Sequence, residues 1–298
     1  MMGELIDGRL SGTNRYRELE LGNILFFPGT PILPAGDREF LLDVRQSGGK
    51  LHKNVSYKPA HDKVSGFDGG QGGFADRLRA VMRGYSDAIA RFLDEMLPGY
   101  SAGRRKDYAS FRPYEEKGRD LSWKKRNDLL HVDAFPTRPT GGDLILRVFT
   151  NINPAAPRVW TVSDPFEPLA RRHAKAAGLE RISAKSRSAG TKLRFRLTNA
   201  LRSLKVPVVA RSPYDRFMLS FHDYLKQNDS YQRDTPKYNF EFPPESTWMV
   251  FTDVVPHSVV SGQFALEQTF LIARSSLETP SRAPVSILEN LAGAPLIY

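Results

Sequence analysis

Two neighbouring stretches indicate the fold most clearly, Leu129-Leu-His-Val-Asp-Ala-Phe135 and Asp143-Leu-Ile-Leu-Arg-Val-Phe149. The second is an apolar run of strand length, and a strand that is apolar on both faces is usually buried on both. In the first, His131 and Asp133 stand two residues apart in a strand-like region. Residues i and i+2 of a strand point to the same face. An imidazole and a carboxylate can therefore converge on one metal ion.

A third ligand has to come from elsewhere in the chain, and His257 is the best candidate. It follows the predicted strand Ser246–Phe251. Two imidazoles and one carboxylate on one face of an ion leave three positions open, as oxygen activation by iron(II) requires. The same donor set also suits zinc-dependent hydrolysis. A histidine bonded to a nearby aspartate is, moreover, a common structural arrangement, so the spacing alone leaves these alternatives open.

Arg147 lies inside the second stretch, surrounded by apolar residues. A guanidinium that is buried in such a strand needs an anionic partner to offset its desolvation. A co-substrate carboxylate could supply that partner through two parallel hydrogen bonds. A protein carboxylate, or a strand end that reaches water, would serve equally well. Asn151 and Asn153 follow, and they could donate to the same ligand or shape the turn before Pro154.

The rest of the chain indicates a mainly β protein with helices (α+β), a sandwich or barrel decorated by helices. We expect one domain, residues 1–298, in which residues 155–245 form a largely helical, basic insertion. Apolar runs and periodicity predict further strands at Ile24–Phe27, Phe40–Leu42 and Gln268–Ile272. They predict helices at Ala75–Met96, Glu167–Ala177 and Pro213–Gln227.

Composition narrows the chemistry. The 298 residues contain no cysteine, which excludes disulfides, thiolate zinc sites and cysteine nucleophiles. Any metal must then be held by His, Asp or Glu. The net charge of +10 favours an acidic ligand, an anionic membrane face or nucleic acid. The segment Arg181–Arg211 has nine Lys or Arg and no Asp or Glu. It could bind lipid or phosphate, or form a solvated basic face.

The residues from His131 to Pro154 resemble the bacterial Kdo hydroxylases (Kdo dioxygenases). Asp253-Val-Val-Pro-His257 and Glu267-Gln-Thr-Phe270 are similar to a second block of that family. The resemblance implies a double-stranded β-helix (jelly-roll, cupin-like) core. It implies an Fe(II)- and 2-oxoglutarate-dependent dioxygenase that uses O2, with ascorbate as the reductant. The implied reaction is hydroxylation of carbon 3 of the outer Kdo sugar of Kdo2-lipid A, in the inner core of lipopolysaccharide.

The same resemblance implies roles for individual residues. The metal ligands would be His131, Asp133 and His257. The co-substrate anchor would be Arg147, with Arg274 as the alternative anchor. Asn151, because it follows Arg147 closely in the chain, is a further candidate for binding the co-substrate. Arg138, close in sequence to the metal ligands, would bind substrate. Further basic candidates for substrate contact are Arg104-Arg105-Lys106, Lys124-Lys125-Arg126 and the segment Arg181–Arg211.

The implied partner is Kdo2-lipid A in the anionic inner-membrane surface, without a specific nucleic acid. The chain has no apolar run of the roughly 18 residues that a membrane span needs, and its N-terminus lacks a secretory core. We therefore expect a cytoplasmic protein, peripheral on the inner face of the bacterial inner membrane. Two rival hypotheses are a related oxygenase acting on protein or RNA, and a non-enzymatic β-barrel that binds anionic lipid or nucleic acid. The hypothesis of a non-enzymatic binding protein predicts that replacing His131 leaves its binding activity intact.

Overall fold

The computed structural model describes residues 4–29, 32–43, 54–67, 73–187, 190, 198 and 209–297. The strands are β1 (Leu5–Asp7), β2 (Ile24–Phe27), β3 (Val55–Lys58), β4 (Lys63–Ser65), β5 (Arg104–Arg112), β6 (Leu144–Asn151), β7 (Arg158–Val162), β8 (Tyr238–Phe242), β9 (Thr247–Phe251), β10 (His257–Ser261) and β11 (Ala265–Ile272). The helices are α1 (Arg15–Leu21), α2 (Ala35–Asp43), α3 (Phe74–Met96), α4 (Phe166–His173), α5 (Leu179–Ser186), α6 (Pro213–Gln227), α7 (Asp229–Asp234) and α8 (Pro284–Ala292).

The strands form two sheets. The large sheet has the order β1-β2-β9-β6-β11-β5-β3-β4, and the small sheet has the order β10-β7-β8. All strand pairs are antiparallel except β1 with β2. Residue His131 pairs with His257 through two backbone hydrogen bonds, so the segment 129–133 continues the small sheet beyond β10. This confirms the predicted double-stranded β-helix core with helical decoration.

Two separate hydrophobic cores hold these layers together. The larger one joins the outer face of the large sheet to α3 and to the other helices. The smaller one lies between the sheets and is built on Phe149, Trp160, Phe242 and Trp248, whose rings stack or meet edge to face. Strand β6 serves both cores because its successive side chains alternate between faces. It is therefore buried on both sides, as its sequence predicts.

Most predicted elements form, and one is wrong. Helix α6 has the predicted bounds, and its start is fixed by a capping box between Ser212 and Asp215. The run Phe40–Leu42, predicted as a strand, lies in helix α2 instead. A short apolar run does not by itself distinguish a strand from a helix. Here the carbonyl of Pro34 accepts hydrogen bonds from two later backbone N–H groups, which begins the helix.

Helices α4 to α7 lie between β7 and β8, inside the range 155–245. Residues 155–245 therefore also include two strands of the small sheet. Much of the basic segment Arg181–Arg211 lies outside the described residues. Its two interpretations, a surface that binds lipid or phosphate and a solvated basic face, therefore stay predictions. Every helix in the described ranges is too short or too polar to cross a bilayer.

Candidate metal centre and active site

The structure brings together the three predicted metal ligands. One ligand atom each from His131, Asp133 and His257 lies within 4.8 Å of the others, and all three residues are buried. The carboxylate oxygens of Asp133 are 3.9 Å from Nε2 of His131 and 4.0 Å from Nε2 of His257. The backbone N–H of Asp133 also donates to the carbonyl of Thr252 at 2.9 Å, which ties the aspartate to the end of β9.

Backbone carbonyls orient both imidazoles. Nδ1 of His131 donates to the carbonyl of Leu129 at 2.6 Å, and Nδ1 of His257 donates to that of Val255 at 2.9 Å. A carbonyl only accepts, so each Nδ1 carries the proton. Each Nε2 therefore keeps its lone pair and faces Asp133. This arrangement, in which the second ring nitrogen is held by a hydrogen bond, is typical of metal-binding histidines.

The protonation states also fit a divalent metal. Burial lowers the pKa of His131 well below its usual value, and burial lowers that of His257 as well, so both rings are neutral. Burial alone would raise the pKa of Asp133, but the Arg147 guanidinium lowers it well below its usual range. Metal ligands must be neutral imidazoles and ionised carboxylates. Oδ2 of Asp133 has no hydrogen-bond partner, although it is buried. This donor set suits a divalent transition metal such as Fe(II).

Arg147 projects from β6 toward the same site. Its Nε lies 3.1 Å from Oδ2 of Asp133, an ion pair that lacks hydrogen-bond geometry, and its Nη1 donates to Oε2 of Glu267 at 3.2 Å. The side chain is only 13% exposed. The anionic partner that its burial requires is thus supplied, in this structure, by two protein carboxylates. One of those carboxylates is a candidate metal ligand, so Arg147 belongs to the site.

Glu267 lies at the centre of a buried ionic network that the sequence reasoning did not assign to the site. It accepts hydrogen bonds from Arg112, Arg147, Ser110 and Thr269. Burial alone would raise its pKa, but Arg147 and Arg112 lower it to about 2. No sequence pattern indicated that Arg112 belongs to the site, because an arginine at the end of a strand is common. Glu267 appeared only within the block Glu267-Gln-Thr-Phe270 that carried the resemblance.

A third buried arginine, Arg158, interacts electrostatically with Arg112 and Glu267 of this network. Arg158 is fully buried; its Nη1 donates to the carbonyl of Gly262 at 3.0 Å, and its Nη2 lies 3.8 Å from Glu116. Gly262 has φ +117° and a Cβ there would meet the Arg158 backbone at 2.9 Å, so only glycine fits. The charged interior between the sheets therefore combines three guanidinium groups and three carboxylates, namely Arg112, Arg147, Arg158, Asp133, Glu116 and Glu267.

The remaining predicted co-substrate residues lie away from the triad. The side-chain amide of Asn151 donates to the carbonyls of Ala156 and Phe242 and accepts from the N–H of Asn153. Of its two possible roles, these contacts match the shaping of the turn. Arg274 follows β11 in a 3-10 helix, is 39% exposed and lies 3.4 Å from Glu289. Neither side chain contacts the triad.

Arg138 lies beside the site and is held by aromatic rings. Its guanidinium lies 3.9 Å from the ring centroid of Tyr108 and 4.4 Å from that of Phe135, and it forms an ion pair with Asp107. Phe135 also lies 5.4 Å from the Arg147 guanidinium. Arg138 lines a cavity of about 250 Å³ together with Arg105 and other residues. Arg138 is therefore linked to the centre through Phe135, which contacts both Arg138 and Arg147.

The other predicted basic contacts are mostly paired on the surface. Arg104, Arg105 and Lys106 each form an ion pair with an aspartate. Arg126 pairs with Asp128, and Lys124 lies over the ring of Trp123. Exposed pairs of this kind contribute little to stability or binding.

The chain as a whole resembles one known protein family. A family model for 3-deoxy-D-manno-oct-2-ulosonic acid (Kdo) hydroxylase matches residues 9–295. This chain belongs to the Kdo hydroxylase family. The apo structure of the Kdo hydroxylase KdoO, a non-heme Fe(II) alpha-ketoglutarate-dependent dioxygenase, is 33% identical to this Kdo hydroxylase family member, with a TM-score of 0.82 over 99% of this chain and 97% of that one.

Two further structures of KdoO give the same similarity. The complex with alpha-ketoglutarate and Fe(III) is 33% identical, with a TM-score of 0.80 over 99% of this chain and 97% of that one. The complex with cobalt(II) is 34% identical, with a TM-score of 0.80 over 98% and 96%. A comparison with curated proteins found no match for this family member.

Proposed function

We propose that this chain is an Fe(II)-, 2-oxoglutarate- and O2-dependent dioxygenase that hydroxylates carbon 3 of the outer Kdo sugar of Kdo2-lipid A. The observation that carries the proposal is the convergence of His131, Asp133 and His257 within 4.8 Å, in a chain of the Kdo hydroxylase family. KdoO, a relative that is 33% identical over nearly the whole chain, is an Fe(II) and alpha-ketoglutarate-dependent dioxygenase. We further propose that residues 1–298 act as one oxygenase domain.

We assign the metal to the two Nε2 atoms and the Asp133 carboxylate. Bound iron(II) and 2-oxoglutarate supply the oxidising chemistry that inserts an oxygen atom from O2 into a C–H bond. The chain supplies orientation and exclusion of water. Trp160 supports one ligand ring directly, since its ring stacks on His257 with centroids 5.1 Å apart and planes 20° apart. Trp160 belongs to the aromatic core between the sheets, which covers that face of the His257 ring.

The buried charges support a dianionic co-substrate. Within this network the three named arginines and the three named carboxylates balance one another in charge, and Arg112 interacts electrostatically with all three carboxylates. A divalent metal adds two positive charges to this water-poor interior, where uncompensated charge is costly. A dicarboxylate such as 2-oxoglutarate carries two negative charges, which offset those of the metal.

We propose Arg147 as the co-substrate anchor. Among the described residues, Arg147 is the arginine that forms an ion pair with the ligand set, 3.1 Å from Asp133, and β6 is buried on both faces. Arg274 is the poorer candidate because it is more exposed and pairs with Glu289 instead. We leave Asn151 out of the site, since its amide bonds to backbone groups only. In this assignment Glu267, which accepts hydrogen bonds from both guanidinium groups, holds Arg147 and Arg112 in place.

We propose Arg138 as a contact for the acidic sugar. Its guanidinium is pre-oriented by two aromatic rings, which reduces the entropy lost on binding an anion. The net charge of +10 would attract a substrate that lies in an anionic membrane, more weakly at high salt. We accordingly propose that the protein acts in the cytoplasm, peripherally at the inner face of the inner membrane.

Mass spectrometry of Kdo2-lipid A tests this function directly. The purified protein is incubated with the lipid, iron(II), ascorbate and 2-oxoglutarate, and we expect a gain of one oxygen atom on the outer Kdo sugar. Asp133→Ala should abolish the gain. Iron-loaded protein that converts 2-oxoglutarate to succinate but leaves the lipid unchanged would exclude this substrate and retain the oxygenase class. Absence of both reactions would exclude the class as well.

A further inference from the structure

The metal-bearing segment 129–133 lies at an edge of the small sheet. On one side, His131 pairs with His257 of β10. On the other side, the backbone groups of Leu130 and Val132 point toward the helices that connect β7 and β8. An unpaired strand edge normally needs another strand, a covering element or water. Here two helical side chains take that place.

Gln232 of α7 reproduces the contacts of a neighbouring peptide group. Its Oε1 accepts the N–H of Leu130 at 2.9 Å, and its Nε2 donates to the carbonyl of the same residue at 2.8 Å. The second hydrogen of Nε2 bonds to the carbonyl of Leu225 at 2.8 Å, near the end of α6. The amide thus has donors and acceptor all engaged, and it joins the metal-bearing segment to the helix pair.

His222 of α6 makes a similar contact with the backbone of Val132, two residues further along the segment. Its Nδ1 donates to the carbonyl of Val132 at 2.8 Å. Its ring also meets the ring of His131 edge to face, with centroids 4.8 Å apart and planes 79° apart. The helix that carries it is rigidly placed, because Phe217, Phe221 and Leu225 are fully buried in the larger core.

We infer that Gln232 and His222 are positioning residues for the metal centre, holding the peptides on either side of His131 so that its Nε2 faces Asp133 and His257. This inference rests on the proposed function. The physical link is short: Nδ1 of His131 bonds to the carbonyl of Leu129, so rotation of the Leu130 peptide turns the ligand ring. Loss of groups that orient a ligand typically weakens metal affinity by about 10–100-fold.

The test compares Gln232→Met with Gln227→Met. Both changes keep the side-chain length and remove the amide, but Gln227 is exposed and bonds only to its own helix, at the carbonyl of Asp223. Co(II) is titrated into metal-free protein, and amide hydrogen exchange of Leu130 is measured without metal. We expect Gln232→Met to weaken Co(II) binding about tenfold and to speed exchange at Leu130, with Gln227→Met unchanged. His222→Leu, an independent variant should Gln232→Met not fold, should also weaken Co(II) binding.

A purely structural edge cover predicts a different result. In that case a folded Gln232→Met or His222→Leu protein has a lower Tm but binds Co(II) with wild-type affinity, and that outcome would overturn the inference. Failure of the wild-type protein to bind Co(II) or Fe(II) at all would instead overturn the proposed function, and the inference with it. Rapid Leu130 exchange with unchanged Co(II) affinity counts against positioning.

Discussion

The two cores of this protein differ in what they contain. The larger core, on the outer face of the large sheet, is built almost entirely from aliphatic and aromatic side chains around helix α3. The space between the sheets has a smaller aromatic cluster and, beside it, three arginines, three carboxylates and two neutral histidines. Strand β6 separates them, with Leu146 on one face and Arg147 on the other.

This difference indicates a division of labour. Burial of apolar surface supplies most folding free energy, whereas buried ion pairs are weak evidence for stability because desolvation offsets their attraction. The larger core is therefore expected to hold the fold. The charged interior is expected to bind the metal and the co-substrate. The desolvation cost of its buried charges is offset by the folding free energy that the larger core supplies.

The largest effect is expected from Asp133→Ala. Activity should be lost, by roughly a thousandfold or more, because the substitution removes the carboxylate from the ligand set. The free energy of unfolding should change by much less than the activation free energy of the reaction, because Arg147 keeps its hydrogen bond to Glu267. Succinate formation and thermal unfolding measure the two quantities. Turnover that survives in Asp133→Ala would contradict the metal assignment.

Leu93→Ala tests the larger core. Leu93 is fully buried on α3, so its truncation should cost about 2–5 kcal/mol of unfolding free energy. The kcat of the folded fraction should stay near that of the wild type. Urea unfolding and activity at 10 °C, where the folded fraction is greatest for a destabilised variant, are compared. A kcat that falls as far as in Asp133→Ala would show that the two cores are not independent.

Glu267→Gln tests the charged interior between the sheets. The change leaves two buried guanidinium groups without their shared carboxylate and should cost about 3 kcal/mol. Because the folded pKa of Glu267 lies below the unfolded one, its stabilisation is complete above about pH 4.5 and is lost as the pH falls toward 2. Unfolding free energy should therefore fall less steeply with acid in Glu267→Gln. Identical acid dependence in both proteins would argue against the ionic network.

The smallest effect separates the two candidate anchors. Arg147→Ala should raise the KM for 2-oxoglutarate about tenfold or more, equivalent to a loss of at least about 1.4 kcal/mol. Arg274→Ala, which removes only a partly exposed pair with Glu289, should change it less than about twofold. Initial rates at varied 2-oxoglutarate decide between them. The reverse ranking would make Arg274 the anchor.

The elements that depend on neighbouring residues in the chain were predicted correctly. The periodicity of α3 and the Pro213 start of α6 depend on neighbouring residues, and both helices formed as predicted. The run Phe40–Leu42 was assigned wrongly, because three apolar residues fit either a strand or a helix. The spacing of His131 and Asp133 predicted a shared face, and the structure places both beside His257.

The amino-acid sequence is sufficient to predict the donor types, the absence of thiolates, the burial of β6 and the family resemblance. Which charged groups meet depends on the folded chain. Glu267 bonds to Ser110 and Arg112 across more than 150 residues, and Gln232 bonds to Leu130 across 102. Such contacts depend on strand register and helix packing, which no local pattern encodes. Two short stretches of sequence therefore contain His131, Asp133 and Arg147, while His257 and the residues that hold the site in place come from distant parts of the chain.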